Sequence, residues 1–402
     1  MTLDEFPGRQ LPTPALTPAP TGAVADTVRE YYGRTLASSA DLKTSACCTD
    51  TAPPAHIAAA LERVHDEVME RFYGCGSPVP PALEGATVLD LGCGSGRDVY
   101  VLSQLTGPTG TVTGVDMTGE QLAVARRHQQ WHAERFGHAN TDFRHAFIEN
   151  LAAAGIEDGS VDVVVSNCVL NLSPDKPRVF SEIFRVLKPG GELYFSDIFA
   201  DRRLPPPLLD DPVLVGECLA GALYTEDFRR VLDRAGCADA RTVTASPVDL
   251  GDPEIERKIG FAAFTSRTVR AFKLPLEDRC EDYGQIAVYR GTIAEHPHAF
   301  DLDDHHRFPT GKPVPVCGNT ADMLGATRYA AHFTVTGDKS RHFGLFPCAP
   351  AEAAPPRGSG AGLLLTAPGV PAAPAAPAAP GAVGVGPPRP HRPVRGPGRR
   401  VR

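Results

Sequence analysis

No run of about 18 apolar residues occurs anywhere in the chain, which argues against a membrane-spanning helix. The opening stretch MTLDEFPGRQLPTPALTPAP also lacks the basic start and apolar core of a secretion signal, so the expected location is the cytoplasm. An excess of basic charge is missing too. Lys and Arg number 40 against 48 Asp and Glu, for a net charge of −8, which disfavours nucleic acid or an anionic membrane as the main partner. Finally, 10 cysteines are present but no C-x-x-C pair. In a reducing compartment such cysteines do not make a disulfide scaffold, and without close pairs they do not read as structural zinc ligands.

The chain does have enough apolar residues, 42% of 402, to bury a core and to form two domains. Residues 1–24 are rich in Pro, Thr and Ala and carry no apolar period, so they are expected to be disordered. So is the tail 351–402, where Pro, Ala and Gly dominate and arginines without acids follow Gly386. Between these ends, IAAALERVHDEVMERF spaces Ile57, Leu61, Val64, Val68 and Phe72 on one stripe, which predicts a single helix. The segments TVLDLG, TVTGVDM, TDFRHAF, VDVVVSNC and GELYFSDI read as strands. Helices are predicted from Asp98, over 119–136 and over 177–187. Apolar strands alternating with amphipathic helices predict a parallel α/β sheet covered on both faces, here over 25–250. Over 251–350 the alternation fails, and segments such as YGQIAVYRGTI and RYAAHFTVTG predict a smaller α+β domain with antiparallel strands.

VLDLGCGSGRD sets Gly92, Gly94 and Gly96 between a strand and a helix, where the backbone can turn sharply and free amides face a ligand. Asp90 precedes the turn, and Asp116 ends the next strand, positioned to accept two ribose hydroxyls. This Asp-x-Gly-x-Gly-x-Gly form resembles the fingerprint of S-adenosylmethionine-dependent methyltransferases, which implies a Rossmann-like class I methyltransferase sheet. The resemblance places Asp90 near the methionine amino group and Ile148 and Glu149 of FIEN beside the adenine. Arg97, Met117 and Asn167 complete the expected cosubstrate set. Cys93 reads as a small structural residue of the loop.

Cys168 follows a strand whose carboxyl end faces the ligand edge, and Cys47, Cys75 and Cys218 lie on loops or helix ends that could join it. Any one of them alone could be apolar filler, since free cysteine is commonly buried. The stretches LKTSACC, RFYGCG, SNCVLNLSPDK, LKPGGELYFSDI and GECLAGALY together resemble the arsenite methyltransferases, over about 31–348. Cys47, Cys75, Cys168 and Cys218 fall where that family carries its functional thiols. The resemblance implies that Cys168 and Cys218 hold arsenic throughout, that Cys75 is a third ligand, and that Cys47 with Cys75 serves the redox step. Cys48, next to Cys47, has no counterpart in the family pattern.

Arsenic held by thiolates carries no proton, so its lone pair attacks without a general base. After transfer the arsenic is pentavalent, and two thiols closing to a disulfide return it to the trivalent state, with thioredoxin or glutathione resetting the enzyme. The expected substrates are small trivalent arsenicals, methylated for detoxification by a protein expected to be monomeric. The competing readings are a carbon or oxygen methyltransferase with incidental cysteines and an arsenite-binding protein without turnover. DDHHRF (303–308) and HPH (296–298) read as solvated turns, and the tyrosines of REYYGR as packing at the ligand edge.

Overall fold

The computed structural model describes residues 52–72, 74 and 76–348. Both ends expected to be disordered lie outside the described residues, as do REYYGR, Cys47, Cys48 and Cys75.

Strands β1 (Thr87–Leu91), β2 (Thr111–Asp116), β3 (Thr141–His145), β4 (Val161–Asn167) and β5 (Leu187–Ala200) pair in parallel. Three more strands extend this sheet: β6 (Leu223–Tyr224), β7 (Ala240–Pro247) and β8 (Phe264–Phe272). The order is β3-β2-β1-β4-β5-β8-β7, with β6 beside β5 and β8 antiparallel to both its neighbours. Chain order reverses between β1 and β4, so a crevice opens at the carboxyl ends of those two strands.

Helices α1 (Ala55–Leu61), α2 (Asp66–Glu70), α3 (Arg97–Thr106), α4 (Gly119–Arg127) and α5 (Gln129–Phe136) precede β3 or flank β1 and β2. Val68, Val99, Leu102 and Leu122 from this group pack with Val88 and Val163 of the sheet. A second core joins α6 (Lys176–Val186), through Phe180 and Ile183, to Phe195 of β5 and to Phe228 and Leu232. Two predicted helices are broken. The stripe over 57–72 divides because the His65 ring accepts from the Glu67 amide and caps α2, while the His65 amide donates to His132 Nε2. The helix expected over 119–136 divides at His128, whose ring sits 2.6 Å from Glu67.

After α7 (Pro212–Gly216), α8 (Thr225–Arg234) and α9 (Pro253–Ile259), the chain returns to the sheet as β8, past the division expected at 250. A three-stranded antiparallel sheet, β12-β9-β13, follows, from β9 (Gln285–Tyr289), β12 (Pro313–Val316) and β13 (Phe333–Thr336). A hairpin of β10 (Ala299–Asp301) and β11 (Arg307–Pro309) and helix α10 (Gly318–Gly325) complete it. This part docks on the large sheet through buried charge. Glu192 of β5 lies 2.9 Å from Arg270 and 2.5 Å from Arg328, and accepts from the Tyr329 hydroxyl at 3.1 Å. The expected solvated turn 303–308 is partly buried instead. Asp303 is buried against the guanidinium of Arg241, 3.2 Å away, and holds the His306 ring through Nδ1 at 2.8 Å. No helix among the described residues is long and apolar enough to cross a membrane.

Candidate active site

The turn from β1 into α3 forms the floor of the crevice. Gly92 has φ +72°, and a Cβ there would lie 2.3 Å from Val169 Cγ2, so both the backbone and the close approach require glycine. The amides of Gly94 and Thr118 donate to the two carboxylate oxygens of Asp116, at 2.9 and 2.7 Å. Asp116 is thereby fixed at the crevice rim, and its burial raises its pKa. Burial, and then the charges of Asp98 and Asp116, push the Asp90 carboxyl well above its ordinary range. Asp90 Oδ2 is buried with no hydrogen-bond partner. A buried carboxylate oxygen in that state calls for a cationic donor, and the ammonium of a methionine moiety fits it.

Asp90, Gly92, Gly94 and Asp116 all line this cleft, as do Met117, Ile148, Glu149 and Asn167 from the expected cosubstrate set. Gly96 and Arg97 do not line it. Arg97 pairs with Asp98 at 2.7 Å, and its guanidinium stands over the Phe72 ring, 3.1 Å from the centroid. Gln121 and Ser173 also face the cleft; Gln121 lies in no quoted motif, and Ser173 stands in SNCVLNLSPDK without having been singled out. The Ser173 hydroxyl donates to Glu149 at 2.5 Å, which orients that carboxylate.

Asn167, the last residue of β4, clamps the chain at Gly76. Its Oδ1 accepts from the Gly76 amide at 3.0 Å, and its Nδ2 donates to the Gly76 carbonyl at 2.8 Å and to Asp98 Oδ2 at 3.0 Å. A Cβ on Gly74 would stand 2.7 Å from Asn167 Nδ2, so that flank packs equally closely.

Cys168 comes next and also lines the cleft, while Cys218 lies fully buried behind it. The ligand atoms of Cys168, Asp197 and Cys218 all lie within 4.8 Å of one another, and Cys218 Sγ donates to the Cys168 carbonyl at 3.3 Å. Among the described residues, only three besides glycine have positive φ, and two of them are Cys168 (φ +55°) and Cys218 (φ +59°). Such a conformation costs on the order of 1–3 kcal/mol and persists only where the surroundings enforce it, typically at functional sites. Cys168 is disulfide-bonded, so metalloid binding through its sulfur requires reduction first.

Sequence reasoning missed two charged groups beside these thiols. Asp197 of β5 is buried, and burial pushes its pKa up to about 7 although the amides of Ile198 and Asn171 donate to it. Lys176, at the start of α6, donates to the carbonyls of Asn171 and Ser173 at 3.0 Å each. Burial lowers its pKa, and the charges of Asp197, Cys218 and Glu149 oppose that shift. Both residues stand in quoted motif stretches, SPDK and YFSDI, but only the fold brings them to the thiols.

Two family models match the chain. One, described as a methyltransferase domain, covers residues 83–236, and the other, described as an arsenite methyltransferase C-terminal domain, covers residues 283–353. The chain is 57% identical over 322 residues to the arsenite methyltransferase of Aquipseudomonas alcaligenes, spanning 80% of this chain and 93% of that protein. It is 45% identical over 314 residues to the arsenite methyltransferase of Homo sapiens, spanning 77% and 82% of the two chains. The crystal structure of an arsenic(III) S-adenosylmethionine methyltransferase from Chlamydomonas reinhardtii superposes with a TM-score of 0.71 at 53% identity, covering 73% of this chain and 100% of that one.

Proposed function

This chain belongs to the arsenite methyltransferase family, and we propose that Cys168 and Cys218 are the thiolates that hold trivalent arsenic at the mouth of its cosubstrate cleft. The activity is S-adenosylmethionine-dependent methylation of arsenite. The observation that carries the ligand assignment is the meeting of the two cysteine sulfurs, each on a left-handed residue, with Cys168 lining the cleft.

Asp90 would hold the cosubstrate ammonium and Asp116 its ribose, with Ile148 and Glu149 beside the adenine. S-adenosylmethionine supplies an electrophilic methyl group there. The protein then has little proton chemistry to do, because arsenic bound by thiolates has no proton to lose. Its task is alignment, for which about 7–11 kcal/mol of barrier reduction is available in well-oriented cases. Lys176 favours the thiolate of Cys218 by charge, and Asp197 disfavours a second anion beside it. Asn167 holds the segment around position 75, which supports Cys75 as a third ligand for arsenite. Methylarsenite already carries one carbon and needs only two thiolates.

Cys47 and Cys75 are the thiols we assign to the two-electron reduction of the methylated arsenic, with thioredoxin or glutathione restoring them. The disulfide at Cys168 supports the need for such a reductant. A thiol-dependent cycle fits the reducing cytoplasm. The catalytic unit is read as a monomer, to be checked by light scattering; a dimer that loses activity on dissociation would overturn that point. The domain reading is a cosubstrate-binding part ending with β8 and a smaller part over 283–348.

The test is to incubate the purified chain with S-adenosylmethionine, arsenite and a thiol reductant, then quantify arsenic species by chromatography with mass detection. Methylated arsenicals are expected. Tight arsenite binding without methylated product would overturn the reading.

A further inference from the structure

Three cysteines with no part in the reading above converge in the C-terminal part of the chain. The sulfurs of Cys280, Cys317 and Cys348 lie within 4.8 Å of one another. They come from segments far apart in sequence, and main-chain hydrogen bonds lace those segments together. The Phe346 amide donates to the Cys280 carbonyl at 2.7 Å, the Gly318 amide to the Glu281 carbonyl at 2.9 Å, and Glu281 bridges to Leu345. The convergence is therefore built into the backbone. Cys317 is fully buried at the N-cap of α10, where its sulfur accepts from the Thr320 amide at 3.4 Å. Cys280 and Cys348 are half-buried, and Cys280 also lines a surface cavity beside Cys237 and Asp239, which gives an ion a way in.

We propose that Cys280, Cys317 and Cys348 form a second site for trivalent arsenic, distinct from the methyl-transfer cleft. The choice of arsenic rests on the methylation reading, since that activity brings the ion to this chain. The choice of a trivalent ion rests on the site itself. Among the described residues, no fourth Cys, His or carboxylate joins the three sulfurs, whereas structural zinc takes four ligands. Charge agrees with this. Three thiolates around a trivalent ion sum to zero, while a divalent ion would leave a buried negative charge. Arg241 stands 3.9 Å from Cys317 and is already balanced by Asp239 at 2.6 Å and Asp303 at 3.2 Å. Binding arsenite forms three As–S bonds and breaks three As–OH bonds; each hydroxide leaves as water with one thiol proton, and no electrons move. No cleft residue adjoins this cluster, so ion held here is not methylated in place.

The experiment uses the full reduced chain and arsenite as the probe. Bound arsenic per chain is counted by plasma mass spectrometry after desalting, and the thiols it protects from alkylation are mapped by peptide mass. The parent should bind two arsenic atoms. The double variant Cys168→Ser/Cys218→Ser should bind one, protecting Cys280, Cys317 and Cys348. Adding Cys348→Ser or, separately, Cys280→Ser should remove that atom with the melting curve unchanged, and either single variant in the parent should still methylate. Two partly exposed positions guard against a folding artefact at the buried Cys317.

The proposal fails if the double variant binds no arsenic, if protection falls on other cysteines, or if the purified chain holds zinc there that arsenite does not displace. Its failure is separable from that of the methylation reading. A chain that binds arsenic at these three thiols but yields no methylated product sinks the latter alone.

Discussion

Asn167→Ala separates the two roles assigned to the thiols. The side chain makes two hydrogen bonds to Gly76 and one to Asp98. Each bond to Gly76 is worth about 1 kcal/mol net, so the segment around position 75 loses about 2 kcal/mol of attachment to β4. That corresponds to roughly a 30-fold shift toward the unpinned arrangement. Under the proposed assignment, the cysteine at 75 is required as a third ligand by arsenite but not by methylarsenite. At saturating S-adenosylmethionine, kcat/KM for arsenite should therefore fall by roughly 30-fold while that for methylarsenite changes little. The assay is initial-rate methylation of each arsenical with products separated and counted. Equal losses on both substrates would refute the reasoning, because they would mean that Asn167 serves only the cleft it lines.

Gly92→Ala combines a left-handed backbone with a collision against Val169, about 1–2 kcal/mol for the first and about 1–3 for the second. It should abolish S-adenosylhomocysteine binding in calorimetry while the chain stays folded. Glu192→Gln leaves Arg270 and Arg328 facing a neutral group in a buried setting, and should lower urea-unfolding stability by about 3–5 kcal/mol. His132 accepts from the His65 amide through Nε2 and stacks on Tyr100, and burial lowers its pKa from 6.5 to about 4. Its contribution is complete above pH 6.5 and is lost as pH falls toward 4, up to about 3 kcal/mol at about 1.4 kcal/mol per unit. Unfolding free energies over that window should decline in the parent and flatten in His132→Gln.

The parallel half of the sheet was legible because strands buried on both faces must be apolar throughout, as VDVVVS and TVLDL are. β8 was not, and the boundary drawn at 250 suffered for it. Its sequence FTSRTVRAF reads as polar, yet Arg270 is buried in it because Glu192 waits across the strand. The helix breaks at His65 and His128 also escaped notice, since apolar spacing continues through both and only contacts distant in sequence interrupt the backbone. At the site, the glycine turn and Asp116 follow from local chain geometry and could be read directly. Asp197 and Lys176 could not, because their proximity to Cys218 is made by the packing of β5 and α6. The same limit hid Cys280, Cys317 and Cys348, whose spacing forms no motif and whose meeting depends on the pairing of Glu281 with Leu345.

The most direct test of the central claim is a single-turnover reaction of bound methylarsenite, quenched at intervals, in the parent, Cys168→Ser, Cys218→Ser and Cys75→Ser chains. The account predicts dimethylated product from the parent and from Cys75→Ser, and none from Cys168→Ser or Cys218→Ser. Product from either of those two at a rate comparable to the parent would contradict it.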